Sequence, residues 1–246
     1  MGQQQQILVN LGRVKNETDT AEQSIATAVQ LFDQVRTLGA QGASNTQTAS
    51  QRSDVARQLG SILQQMVGLA GSKVEGRFIF AGDSDQQAPY TIDLTQPNSV
   101  SAYGGATATR VVEHPNGTTF PVSRTAQDIF DPSDPTQNTF TAIGNLRAAL
   151  LANDDTAVSA AVDALSKVGV YLNSQLAFYG NAQNNVAEAT DFGGKLSLQF
   201  QTQISGLADA DLSAAAVELT QAQVQQQAAL QARANMPRSS LFSFLG

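Results

Sequence analysis

Hydrophobic residues recur every three or four positions over most of this chain, and that spacing restricts what it can build. In the first segment Val14, Thr18, Ala21, Ile25, Ala28, Phe32 and Val35 follow a 4,3 rhythm that puts them on one side of a helix. Leu31 and Leu38 widen the stripe, and Gly39, Gly42 and the polar run Ser44 to Thr48 end it. From about Ser50 a second series begins, with Val55, Leu59, Ile62, Met66, Leu69 and Lys73. The short polar break suits an antiparallel helical hairpin. A third series starts at Val158 and continues through Val162, Leu165, Gly169, Leu172, Leu176, Tyr179, Gln183, Val186, Thr190, Gly193, Ser197, Phe200, Ile204 and Leu207 without a proline. Helical phase held that long predicts a rod or coiled coil. Its weak occupants predict loose packing or a bend near Gly193-Gly194.

The last stretch keeps the rhythm and loses the hydrophobicity. After an Asp-rich segment expected to be a loop, Leu212, Ala216, Leu219, Gln223, Gln226, Leu230 and Arg233 hold the spacing. Only Leu212, Leu219 and Leu230 are large and apolar. Five of the seven residues from Gln221 to Gln227 are Gln, and the chain ends on Leu241, Phe242, Phe244 and Leu245. A seam this thin does not hold a coiled coil alone. It predicts a helix that completes a core supplied by other chains. The candidate interface residues are therefore Leu212, Leu219, Val224, Leu230, Leu241, Phe242 and Leu245.

Between the helical series the character changes. RFIF, YTIDL, TATRVVEH and TTFPVS read as short strands, Asn116-Gly117 marks a hairpin, and six of the seven prolines fall between Pro89 and Pro135. The expected architecture is mainly α with a β insertion: an elongated helical-bundle or coiled-coil rod of long antiparallel helices carrying a small β domain, plus a C-terminal assembly helix. The boundaries are residues 1–78 and 140–207 for a discontinuous rod, 79–139 for the insert, and 208–246 for the assembly helix. The ends of such an insert lie close together.

Composition excludes several functions. The net charge of −7 gives no basic footprint for nucleic acid or for a membrane surface. With no Cys there is no disulfide, thiolate nucleophile or Cys-ligated metal. No apolar run reaches the length of a membrane span, and the N-terminus has no Sec-type hydrophobic region. His114 is the sole histidine, which rules out a His-based triad or a multi-His metal site within one chain; beside Pro115-Asn116-Gly117 it reads as a turn residue. The pairs Asp83/Asp85, Asp131/Asp134, Asp154/Asp155 and Asp209/Asp211 lack the ligand spacing of a Ca²⁺ loop. Asp154 and Asp209 are expected as helix caps. Gly193-Gly194-Lys195 lacks phosphate-loop spacing, and Asn16-Glu-Thr and Asn116-Gly-Thr match glycosylation sequons of low specificity. No catalytic residue, cofactor, metal or small-molecule substrate is assigned.

Three sets of residues resemble the flagellin superfamily. Val74-Glu75-Gly76-Arg77-Phe78-Ile79-Phe80-Ala81-Gly82 is similar to the family signature where the second helix enters the insert. Arg52, Ser53, Val55, Ala56 and Leu59 resemble the start of that helix. Asp209-Ala210-Asp211-Leu212, Gln227 to Ala232, and Ser240-Leu241-Phe242 resemble the C-terminus, and the SLFSFL ending tilts the likeness to the hook-filament junction branch. The resemblance implies a structural subunit of the bacterial flagellum that joins hook to filament. It would polymerise with itself as a ring or tube, contact the other hook-associated protein and flagellin, bind an export chaperone through its C-terminal region, and be secreted by the flagellar type III route to an extracellular position. It also implies a further N-terminal helix pairing with the C-terminal one; this chain is expected to lack it. Filament flagellin is the near alternative. A helical stalk presenting a β binding module, with a ligand groove in residues 83–140, is the distant one, and an enzyme with its site in the insert is a third class.

Overall fold

The computed structural model describes residues 2–96 and 99–235. Five helices and two hairpins follow in chain order: α1 (Gly2–Gly42), α2 (Ala49–Ala70), β1 (Lys73–Val74), β2 (Arg77–Phe78), β3 (Val111–Glu113), β4 (Thr119–Pro121), α3 (Ala126–Phe130), α4 (Thr139–Ala152) and α5 (Asp155–Ala234). The expected mainly α fold with a small β insertion is what the chain adopts. It forms two units, one from Gly2 to Gly194 and one beginning at Lys195.

In the first unit α1, α2, α4 and the early part of α5 enclose one core. Ile25, Phe32 and Val35 of α1 meet Leu59, Leu63 and Met66 of α2, Ile143 and Leu146 of α4, and Leu165, Leu172 and Tyr179 of α5. The α1 seam is the one its spacing predicts, from Thr18 to Val35, with Leu11 extending it towards the N-terminus. Gly39 does not break α1. It sits where a Cβ would be 3.1 Å from Leu146 and 3.2 Å from Val162, so its missing side chain lets α4 and α5 approach.

Local chemistry sets the helix ends. Thr48 caps α2 in a reciprocal box with Gln51, and Gly71 ends it by donating to the Val67 and Gly68 carbonyls. Lys73 therefore leaves the helical series and begins β1. The α4 helix, which the periodicity does not announce, is capped by Asn138, which accepts the Thr141 N–H at 2.8 Å, and stopped by Asn153 at φ 53°. Asp154 caps α5 as expected, accepting the Ala157 N–H at 3.0 Å. The expected loop around Asp209 is helical, because α5 continues through it.

In α5 the buried residues are Val158, Leu165, Val168, Leu172, Gln175, Tyr179, Ala182, Val186, Ala189 and Gly193. The heptad rhythm is real, but every second position differs by one from the expected seam. Val168, Gln175, Ala182 and Ala189 are fully buried, while Gly169, Leu176 and Gln183 beside them are partly buried and Thr190 is exposed.

The insert contains less strand than its sequence suggests. β1 and β2 pair antiparallel around Glu75 (φ 51°) and Gly76 (φ 81°), two positive-φ residues as a tight hairpin turn requires. β3 and β4 pair with Val112 opposite Phe120, across the expected Asn116-Gly117 turn, where Gly117 has φ 91°. YTIDL contributes a single bridge, Ile92 to Val100. Of RFIF only Arg77–Phe78 is strand, and the following Ile79-Phe80-Ala81 is buried. Gly82 follows at φ 61° with Ala106 O only 2.2 Å from where a Cβ would stand, so this signature position admits only glycine. Tyr103 locks the same crossing by reaching the Phe80 and Ala106 carbonyls at 3.1 and 3.0 Å, and burial pushes its phenol up to about 12.

Candidate assembly interface

From Lys195 onward α5 carries large apolar side chains that are open to solvent. Leu212, Leu219, Val224 and Leu230, four of the residues singled out by sequence, are each at least 60% exposed. Leu241, Phe242 and Leu245 lie outside the described residues. Leu198, Phe200, Ile204, Leu207 and Val217 are also exposed, although the spacing does not mark them as interface residues. Spacing places Phe200, Ile204 and Leu207 on the third helical series, and in the structure they are exposed. Heptad phase does not register where helical partners run out: of the described residues after Gly194, only Leu196 and Ser197 are even partly buried.

The exposed residues form more than one stripe. Leu212 and Leu219 are a heptad apart, as are Val217 and Val224. The two pairs are offset by five residues, which at about 100° per residue sets them roughly 140° apart around the helix. Val217 and Val224 border a shallow trough with Ala216, Thr220 and Gln221. A helix apolar on two sides has surface for more than one neighbour.

The polar residues weighed by sequence occupy structural roles. His114 Nδ1 accepts the Asn116 N–H at 3.1 Å inside the β3–β4 turn, and its ring lies 5.2 Å from that of Phe192. Asp85 pairs with Arg77 at 3.3 Å. Asp131 accepts from Tyr90 at 3.3 Å and from Asn138 at 2.5 Å; burial first, then the Asp131 charge, raises the Tyr90 phenol. Asp134 accepts from the hydroxyl and backbone N–H of Thr136, which hold its carboxyl below the usual range. The Gly193-Gly194-Lys195 segment is helical. Among the described residues no group of three or more His, Cys, Asp or Glu side chains is placed to hold a metal. No described helix is long and apolar enough to cross a membrane.

Residues 2–194 close over their own core, and α5 beyond Gly194 exposes apolar side chains. Residues 151–245 match the family model for the bacterial flagellin C-terminal helical region. Solved structures similar in fold include hook-associated proteins and a flagellin. One, assigned as a flagellar hook-associated protein of Vibrio parahaemolyticus, is 21% identical with a TM-score of 0.70 over 82% of this chain and 90% of its own. Flagellar hook-associated protein-3 of Legionella pneumophila is 10% identical with a TM-score of 0.72, over 85% of this chain and 97% of its own. FlgL of Bacillus cereus is 17% identical with a TM-score of 0.65, over 80% and 92%. No curated protein matches the chain by sequence.

Proposed function

We propose that this chain is a structural subunit of the bacterial flagellum that joins hook to filament by polymerising through its helical ends. The observation that carries the reading is the uncovered apolar helix: nine large apolar side chains of α5 beyond Gly194 are exposed on a chain whose first unit is closed over its own core. Exposed surface of this kind marks association. Copies of one chain supply it to each other in a ring or tube, with residues 208–246 as the assembly helix. The other hook-associated protein and flagellin are the neighbours on either side, an export chaperone covers the C-terminal region before assembly, and the assembled protein is extracellular. The fold likeness to hook-associated proteins supports the junction role. The match of residues 151–245 to a flagellin region keeps filament flagellin as the second reading.

Deletion of the gene in its own host separates the two. Hooks without filaments, with unpolymerised flagellin shed into the medium and rescue by the wild-type gene, support the junction subunit. Cells that retain filaments and swim normally contradict both. Loss of the filament subunit itself, with the other flagellin-like proteins still exported, supports filament flagellin.

A further inference from the structure

Two stretches of the α1–α5 contact are held in different ways. Around Ile25 to Val35, the four-helix core closes over it. Nearer the start of α1, a separate small cluster forms from Leu11 of α1, Val186 and Ala189 of α5, and Val122 beside β4, with Val112 and Phe120 of the hairpin packed against it. Here the β3–β4 hairpin does the covering.

Its two ends are tied to different helices. Arg110, entering β3, pairs with Glu17 of α1 at 2.6 Å. Arg124, leaving β4, donates to Gln175 of α5 at 3.0 Å, lies 4.4 Å over the Phe178 ring, and gives its backbone N–H to the Tyr179 hydroxyl at 3.0 Å. At the tip His114 meets Phe192. We propose that the hairpin is a clasp that opens as its own unit, releasing the first part of α1 from α5 and baring the strip around Leu11, Val186 and Ala189 while the four-helix core stays closed. Two three-residue strands are marginal as a sheet, and Pro121 brings no ladder donor. The clasp is therefore held by its small apolar cluster and its end ties. Units with few buried contacts open at a fraction of the global unfolding free energy. The Arg110–Glu17 tie is partly solvated and so weakens with salt.

Hydrogen exchange with mass spectrometry tests this on the full chain and on its Arg110→Gln and Glu17→Gln variants. Glu17→Gln leaves the hairpin sequence intact, so the test survives a misfolded hairpin in the other. The expected result is exchange about tenfold faster in peptides covering 7–19, 110–122 and 183–192, with 55–67 and 143–150 unchanged. Raising wild type to about 1 M salt speeds the same peptides. Equal acceleration everywhere would make the hairpin part of one cooperative core, and no acceleration would mean the helices hold without it; either overturns the proposal.

Discussion

Arg52 Nη1 donates to Asn153 Oδ1 at 3.1 Å, joining residues 101 positions apart. Arg52 opens α2, is buried, and also pairs with Asp155, while Asn153 holds the left-handed residue between α4 and α5. One guanidinium thus fastens the turn that reverses the chain into its longest helix. Arg52→Ala leaves the turn's polar groups without that partner, and is expected to cost about 2–4 kcal/mol in urea unfolding. Both contacts come from the one Nη1 nitrogen, so Arg52→Lys, whose ammonium also offers several N–H donors, should recover part of the loss.

Two glycines in helices predict opposite signs. Gly39 is pressed by Leu146 and Val162, so Gly39→Val is expected to destabilise by about 1–3 kcal/mol through overpacking. A Cβ on Gly68 would meet nothing within 4 Å, and the residue faces solvent in α2, so Gly68→Ala should stabilise by about 0.5–1 kcal/mol. Thermal melts of the two variants check the contrast.

Alkaline pH should loosen the first unit. Burial raises the Tyr179 phenol above its ordinary 10.0, and burial does the same at Tyr90. Above about pH 10 the unfolded chain releases these protons while the folded chain keeps them, so stability is constant below that pH and falls as pH rises, by about 1.4 kcal/mol per unit for each such group. Denaturant titrations from about pH 8 to about pH 11.5 read the slope. Tyr179→Phe should make it shallower, and should cost about 1–2 kcal/mol at neutral pH by leaving the Arg124 N–H unpaired.

Removing residues 208–246 should leave the first unit intact, since its core draws on nothing beyond Ala189. The expected result is an unchanged melting midpoint together with loss of self-association in sedimentation. A drop of many degrees would show that the removed helix stabilises the bundle.

Sequence shows the helices better than their faces. Spacing alone places Thr18 to Val35 in the core because one 4,3 series of seam residues runs through the segment unbroken. In α5, Val168 adjoins Gly169 and Ala182 adjoins Gln183, so 3,4 and 4,3 steps fit equally and only the partner helices choose. The α4 helix is hidden because its hydrophobicity is nearly all-round and its N-cap, Asn138, lies beside the proline-rich insert. Alternating β-branched residues near Thr91 and Thr107 suggest strands, but Pro89 and the Gly104-Gly105 pair leave too little uninterrupted backbone to pair. At the candidate interface, composition reveals a thin seam at Leu212, Leu219 and Leu230. It does not reveal the second stripe at Val217, because periodicity carries no information on which sides of a helix lack cover.

The most direct test of the account substitutes the exposed stripe and leaves the bundle alone. Cells lacking the gene are complemented with wild type or with the Leu212→Gln, Leu219→Gln, Leu230→Gln variant, and flagella are scored by electron microscopy alongside the melting midpoint of the purified proteins. The account predicts equal midpoints, filaments restored by wild type, and bare hooks with the variant despite its export. Normal filaments and swimming with the variant would contradict it.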